Sequence, residues 1–281
     1  MGEVVNFLAN RFRKGLSYST ICGYRSAIAS YHVGVGDEKV GDHPLVSKLL
    51  KGVFLQRTPR RKVAPKWSLD VVLRALKSAP FEPLTSASMK FLTLKTVFLL
   101  AVSSAGRSSD LVKFGYKDPY LRFLPNNEGL ALTPRDLKKQ CRPGHYLLQT
   151  VIPSFKSSRL LDPVRALVTY LKRTESRRGA LESLLITFGR KPFKTPSSQT
   201  VARWLCDVIT QATGTPRQEV QGHSTRAMST SVAFGRGLSV DAILQAADWS
   251  SSSTFGRFYL QGVLQERCAF GRAVLGDDAA N

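Results

Sequence analysis

The sequence has few cysteines, and their spacing suits neither a disulfide framework nor a metal site. No two of the four form a C-x-x-C pair, and the histidines outside the motif described below also lack ligand spacing. We therefore expect no metal ion, and the pattern suits a reducing compartment. The glycine-rich pieces do not form a P-loop, so we expect no nucleotide cofactor. The cysteines are Cys22, Cys141, Cys206 and Cys268.

Long hydrophobic runs are also missing. The most apolar stretch, residues 91–102, contains Lys95 and is far shorter than the ~20 residues that a membrane-spanning helix needs. The first residues have neither a basic flank nor a long apolar core, so we expect no signal peptide. Both features argue against a membrane partner.

Acidic side chains are scarce relative to basic ones. The 281 residues include 41 Lys and Arg but 20 Asp and Glu, a formal net charge of +21 that is spread along the chain. This excess predicts a polyanionic partner, either nucleic acid or an anionic surface. On charge alone, a generally basic soluble protein stays an alternative. Hydrophobic residues make up 43%, enough for a folded core.

The hydrophobic pattern divides the chain into two helical parts joined by a basic linker. Residues 1–56 show helical spacing, residues 57–67 contain two prolines and five basic side chains, and residues 68–281 are again mainly helical. Within the last part, Leu130–Leu132 and Tyr146–Ile152 have the composition of strands around a turn at 138–144. The predicted fold class is mainly α with a small antiparallel β-sheet.

Three separated phrases contain residues suited to phosphate chemistry. His223 and Arg226 lie three apart at a predicted helix start, where backbone N–H groups favour an anion. Arg107 directly follows a strongly apolar helix, and Trp249 and Tyr259 lie downstream in the phrase 248–259. Each phrase alone also fits an ordinary capped helix or an aromatic core residue.

Together, in this order, the phrases resemble the tyrosine recombinases, also called the phage-integrase family. The phrases 223–227 and 254–259 are most similar to recombinases of DIRS-type and Crypton-type mobile elements. The resemblance covers essentially the whole chain. It implies a DNA strand transferase that needs neither metal nor ATP, and it implies that residues 1–56 form a core-binding DNA-binding domain. Residues 1–56 are short for such a domain, which is what a truncated copy of the domain would show.

The resemblance also implies roles for single residues. Arg107 and Arg226 would hold the non-bridging oxygens of the scissile phosphate, where guanidinium groups fit well. Tyr259 would attack the phosphorus and form a 3′-phosphotyrosyl bond. His223 would assist proton transfer or hold the phosphate, and the indole N–H of Trp249 could donate to a phosphate oxygen.

A lysine on a β-hairpin is the general acid in this family. The phrase 137–144 lies at such a hairpin, and its distance to Arg142–Gly144 favours Lys139, with Lys138 as the alternative. Either lysine would also fit a solvated loop. We expect further DNA contacts from basic residues of the first helical part, the linker and this hairpin. These residues are Arg25, Arg60, Arg61, Lys62, Lys66 and Lys138.

The expected partner is double-stranded DNA. The resemblance implies a homotetramer on two duplexes, joined through an amphipathic helix after Tyr259, although that helix could equally pack on its own domain. The expected location is the nucleus of a eukaryote, or the cytoplasm with the DNA otherwise. Two alternatives stay open: a catalytically silent DNA-binding protein derived from such an element, and an enzyme that relaxes supercoils. The DNA target sequence cannot be read from these residues.

Overall fold

A computed structural model describes most of the chain. The described residues are 1–34, 38–59, 67–137, 141, 149–189, 191–249 and 255–256. The chain divides into two compact units, Met1–Val63 and Ala64–Asn281.

The first unit is a small bundle of helices. Its elements are α1 (Gly2–Arg13), α2 (Tyr18–Tyr31) and α3 (Pro44–Gln56). Side chains from all three helices meet in a core that consists of Leu8, Ile21, Val46, Leu50 and Val53.

Local sequence signals set where these helices begin. Ser17 caps α2, because its hydroxyl accepts a hydrogen bond from the backbone N–H of Thr20 at 3.2 Å. Pro44 occupies the first turn of α3, where its missing N–H costs nothing. The apolar face of α2 is only partly covered, since Tyr31 on that face is 92% exposed.

The second unit is built mainly from helices. These are α4 (Leu69–Ala75), α5 (Met89–Ser103), α6 (Ser108–Leu111), α7 (Pro163–Arg178), α8 (Ser198–Thr213), α9 (Ser224–Gly235) and α10 (Val240–Ala246). Polar residues cap several of them: the side chains of Ser88, Asp162, Ser197 and Ser239 accept backbone hydrogen bonds at the starts of α5, α7, α8 and α10.

Helix α5 forms the centre of this unit. Ten of its 15 residues are buried, and it packs against α7, α8 and α9. A helix that is apolar on all sides belongs in the interior, which explains the long apolar run in the sequence. In the part of the chain that the structure describes, no helix has the length and apolar character to cross a bilayer.

A three-stranded antiparallel sheet lies beside the helices. Its strands are β1 (Leu121–Phe123), β2 (Gly129–Leu132) and β3 (Thr150–Pro153), in that order. Leu130 in β2 pairs with Phe123 in β1 and Ile152 in β3. The predicted fold class, mainly α with a small antiparallel sheet, is confirmed.

A buried charged cluster connects α5 and α7. Lys95 is fully buried, and its Nζ donates to Glu82 Oε1 at 2.5 Å, while Arg165 donates to the same carboxylate at 2.8 and 3.1 Å. Burial raises the pKa of Glu82, but the hydrogen bonds from Arg165 and Lys95 outweigh it, so the pKa is lowered. Burial lowers the pKa of Lys95 by more than Glu82 raises it. This cluster explains how a lysine is accommodated in the most apolar helix.

Candidate active site

Arg107 is placed by the sharp turn that joins α5 to α6. Ala105 has a left-handed backbone with φ of 47°, which reverses the chain immediately after α5. Arg107 is the N-cap residue of α6, and its backbone N–H donates to Asp110 Oδ2 at 3.1 Å. Its Nη1 lies 3.8 Å from the same oxygen. The turn therefore points a guanidinium back over the start of α6.

Arg226 lies in the first turns of α9 and is only 3% exposed. Three groups hold its guanidinium. Nη1 lies 3.8 Å from Asp110 Oδ2, Nη2 donates to the carbonyl of Ala247, and the group lies 4.6 Å from the ring centre of Trp249. His223 is the exposed N-cap residue of the same helix. The start of a single helix therefore carries both residues of the His-x-x-Arg motif.

The carboxylate of Asp110 joins the two arginines. One oxygen, Oδ2, lies 3.8 Å from Nη1 of both Arg107 and Arg226. Asp110 is 5% exposed, so this charge acts where water screens it poorly. Sequence reasoning did not select Asp110 as a site residue. The available signal was its position three residues after Arg107, the spacing of a capping box.

A cavity of about 350 Å³ opens beside this carboxylate. Its wall includes the turn after α5, strand β3 and the end of α10, and Arg226 contributes to it. The residues that line it include Gly106, Asp110, Thr150, Arg226 and Asp248. Across the described part of the chain, no cluster of three His, Cys, Asp or Glu side chains is arranged to hold a metal ion.

Trp249 joins Arg226 to an aromatic cluster. Its ring centre lies 6.0 Å from that of Phe255, which lies 5.7 Å from Phe234 on α9. Phe255 is buried. Trp249 directly follows Asp248, whose left-handed φ of 53° turns the chain after α10. The ring face of Trp249 thus covers Arg226, a contact that its predicted role as an N–H donor did not include.

Several predicted residues lie outside the described residues, namely Lys138, Lys139, Tyr259, Arg60, Arg61, Lys62 and Lys66. Their roles stay predictions. Arg25 is described: it is half-buried in the first unit, and its Nη1 donates to the carbonyl of Gly41 at 3.3 Å. Of the predicted catalytic residues, the structure brings Arg107 and Arg226 together at Asp110, places Trp249 against Arg226, and places His223 at the start of the helix that carries Arg226.

The described residues next to the predicted catalytic lysines are held by the segment after α6. Lys113 Nζ donates to the carbonyl of Leu137, the residue that precedes Lys138. The backbone N–H of Arg135 donates to the carbonyl of Lys113 at 2.8 Å, and Phe114 forms a bridge with Pro134. Arg107 and residues 134–137 are therefore linked through the short segment that follows α6.

The fold is similar to solved structures of tyrosine recombinases. The Tn1549 transposon integrase in complex with transposon right end DNA aligns with 96% of this chain and 84% of its own, at 13% identity and a TM-score of 0.58. XerH site-specific recombinase, bound to palindromic difH substrate, aligns with 96% of this chain and 68% of its own, at 15% identity and a TM-score of 0.61. XerA recombinase aligns with 95% and 90%, at 14% identity and a TM-score of 0.52.

At these identities the likeness defines the fold alone. The mainly helical unit with its small antiparallel sheet has the fold of the tyrosine recombinase catalytic domain. No model of a protein family matches the chain, and no curated protein does either.

Proposed function

We propose that this protein is a site-specific DNA recombinase or integrase that cuts and rejoins strands through a 3′-phosphotyrosyl intermediate. The observation that carries the proposal is the convergence of Arg107 and Arg226 on one buried carboxylate, Asp110. Two guanidinium groups held at one place suit a phosphodiester, because each can bind phosphate oxygens through paired N–H donors. The three tyrosine recombinases named above support the proposal through their fold.

The reaction follows from what each group can do. The hydroxyl of Tyr259 attacks the phosphorus, the bond to the 5′ oxygen breaks, and the 3′ phosphate becomes linked to the tyrosine. Arg107 and Arg226 stabilise the negative charge that builds up on the non-bridging oxygens in the transition state. The covalent bond conserves the energy of the phosphodiester, so a 5′ hydroxyl can reverse the step without ATP.

Proton transfer completes the scheme. His223, exposed at the N-cap of α9, assists transfer or holds the phosphate. In this proposal Lys139, or Lys138 in its place, protonates the leaving 5′ oxygen. A substrate with sulfur at the bridging 5′ position shows which of the two lysines is the general acid, because a thiolate leaves without needing a proton. Alanine at the general acid should block cleavage of the normal bond and permit cleavage of the sulfur bond.

Double-stranded DNA is the proposed partner. The net charge of +21 supports it, and the basic residues of the linker and the hairpin would add phosphate contacts. We expect the logarithm of the affinity to fall linearly with the logarithm of the salt concentration. A flat dependence between low and moderate salt would contradict this part of the proposal.

The finer proposals rest on the motif phrases. The phrases 223–227 and 254–259 support an origin in a DIRS-type or Crypton-type mobile element, and with it a nuclear location in a eukaryotic host. Assembly as a homotetramer through the segment after Tyr259 belongs to the same proposal.

Covalent capture tests the chemistry directly. The substrate is a pool of nicked duplexes with a randomised centre, and adducts are recovered under denaturing conditions. We expect wild-type protein to form an adduct and Tyr259→Phe to bind the same DNA without forming one. The matched control is Tyr31→Phe, which changes a tyrosine that is 92% exposed in the first unit and should leave the adduct unchanged.

The outcomes separate the proposal from the silent DNA-binding alternative. Wild-type binding without any adduct would favour the alternative. Adduct in Tyr259→Phe, with nucleotide found on another peptide by mass spectrometry, would remove Tyr259 as the nucleophile. A duplex recovered from the pool would serve as the defined substrate in the experiments below.

A further inference from the structure

A buried tryptophan of the second unit contacts the start of α9. Trp67 is 5% exposed, and its Nε1 donates to Ser224 Oγ at 3.0 Å. Ser224 Oγ in turn donates to the carbonyl of Gln221 at 2.6 Å. The indole N–H is therefore the first member of a short hydrogen-bonded chain that ends in the turn before α9.

Ser224 has a special position in that helix. It is the first residue of α9, directly after His223 and two residues before Arg226. On another side, Gly222 lies so close to α8 that a Cβ there would be 2.8 Å from the carbonyl oxygen of Ala202. The first turn of α9 is thus held by Trp67 and by α8, and neither contact is made by a residue predicted to touch the phosphate.

We propose that Trp67 is a positioning residue for His223 and Arg226. This inference rests on the proposed function. A purely apolar ring would fill the same space, but it could not donate to the Ser224 hydroxyl. A buried indole N–H requires an acceptor, so it holds that hydroxyl in addition to the carbonyl of Gln221. Because α9 is a rigid element, a shift at Ser224 moves the N-cap residue His223 and reorients Arg226 against Asp110.

The place of Trp67 in the sequence adds to its importance. It directly follows Lys66, the last basic residue of the predicted linker. Near the start of the second unit, Trp67 therefore connects the chain to the helix of the His-x-x-Arg motif. Trp67 also belongs to the main hydrophobic core, so its ring and its N–H have separable roles.

Matched substitutions separate those two roles. Trp67→Phe keeps an aromatic ring and removes the donor. Ser224→Ala removes the acceptor. Because this change is small, the variant should fold even if Trp67→Phe does not. The control is Trp204→Phe, because Trp204 is 4% exposed in the same core and packs on Phe188, with ring centres 5.2 Å apart.

Two measurements are made on each variant of the full chain. The first is the rate of adduct formation on the defined nicked duplex. We expect Trp67→Phe and Ser224→Ala each to slow it by about 3- to 10-fold, the range that one lost hydrogen bond gives. The double variant should be no slower than Ser224→Ala, because both changes remove the same bond. Affinity for DNA should stay unchanged.

The second measurement does not require cleavage. Sodium sulfate is titrated against sodium chloride at equal ionic strength, and the melting temperature is recorded. The general stabilising effect of sulfate acts on every variant, so the difference from wild type in the rise of the melting temperature reports anion binding at the two arginines. Trp67→Phe should show a smaller rise than wild type, whereas Trp204→Phe should show the same rise.

The two readouts distinguish failures of the two proposals. If wild type forms no adduct while the sulfate effect still depends on Trp67, the proposed function fails and the positioning role stands. If both variants cleave at the wild-type rate and keep the full sulfate effect, the positioning role is wrong. Equal losses in Trp67→Phe and Trp204→Phe would likewise overturn it, because the effect would then be general core damage.

Discussion

Replacing Asp110 by Asn should destabilise the second unit, and a phosphate-like anion should restore part of the lost stability. At an effective dielectric constant of about 20, one pair of charges 4 Å apart interacts by about 4 kcal/mol. Oδ2 of Asp110 lies 3.8 Å from Nη1 of both Arg107 and Arg226. Removing one partner from a buried pair typically costs about 3–5 kcal/mol. Asn can still accept from the backbone N–H of Arg107, so we expect a loss of about 3 kcal/mol.

Urea unfolding followed by tryptophan fluorescence measures this loss. All three tryptophans, Trp67, Trp204 and Trp249, lie in the second unit, so the signal reports that unit alone. The matched control is Asp118→Asn. Its ion pair with Arg122 is 3.0 Å long, but both side chains are largely exposed, so its loss should stay below about 0.5 kcal/mol.

Sulfate provides the decisive comparison for Asp110. A dianion between the two guanidinium groups supplies the charge that the variant lacks, so the gap between variant and wild type should narrow in sulfate relative to chloride at equal ionic strength. The general stabilising effect of sulfate acts on both proteins and cancels in the difference. The bridging role of Asp110 would be refuted if Asp110→Asn lost no more stability than Asp118→Asn. It would also be refuted if sulfate left the stability difference between Asp110→Asn and wild type unchanged.

Substitutions of Trp249, Glu82 and Gly222 test other contacts. Trp249→Phe keeps a ring over the guanidinium, so its rate of DNA cleavage should stay within about fivefold of wild type. Trp249→Leu removes the ring and should lower that rate by about 10- to 30-fold. Equal losses of rate in the two variants would assign the role to the indole N–H. Glu82→Gln should cost about 3–5 kcal/mol in urea unfolding at pH 7. The pKa of Glu82 in the folded state is lowered from 4.5, so its carboxylate stabilises the fold above that pH. The difference in unfolding free energy between wild type and Glu82→Gln should therefore shrink as the pH falls below 4.5, and urea unfolding at a series of pH values measures it. Gly222→Ala should lower the free energy of unfolding by about 1–3 kcal/mol and slow cleavage, because the new Cβ would meet Ala202. Gly235→Ala is the control: its Cβ would point into open space, so stability and cleavage should both stay unchanged.

The helices could be predicted because their signals are local. The hydrophobic pattern of the sequence predicts helices over 199–213 and 224–236, and these correspond to α8 (Ser198–Thr213) and α9 (Ser224–Gly235). From the sequence alone, Ser19 or Thr20 is the expected cap of the second helix. In the structure Ser17 caps α2, because several hydroxyls close together offer the same capping group. Strand β1 was missed because three residues are too few to show an alternating pattern.

The assembly of the site could be predicted only in part. Motif order suggested that Arg107, Arg226 and Trp249 act together, and the structure brings them together. Asp110 and Trp67 were not recognised, because each acts through a partner far away in sequence: Arg226 in one case and Ser224 in the other. No periodicity or spacing encodes such a contact. The roles of Lys139 and Tyr259 stay predictions.

The packing of Phe255 limits how far Tyr259, the proposed nucleophile, can travel. Tyr259 follows four residues later, and four extended residues span at most about 14 Å. While Phe255 rests against Trp249 and Phe234, that tether limits the distance from this aromatic cluster to the backbone of residue 259. Under the proposed function, donation of Tyr259 to another copy of the chain would therefore require either that copy's arginines close to this cluster or the release of Phe255 from its aromatic neighbours.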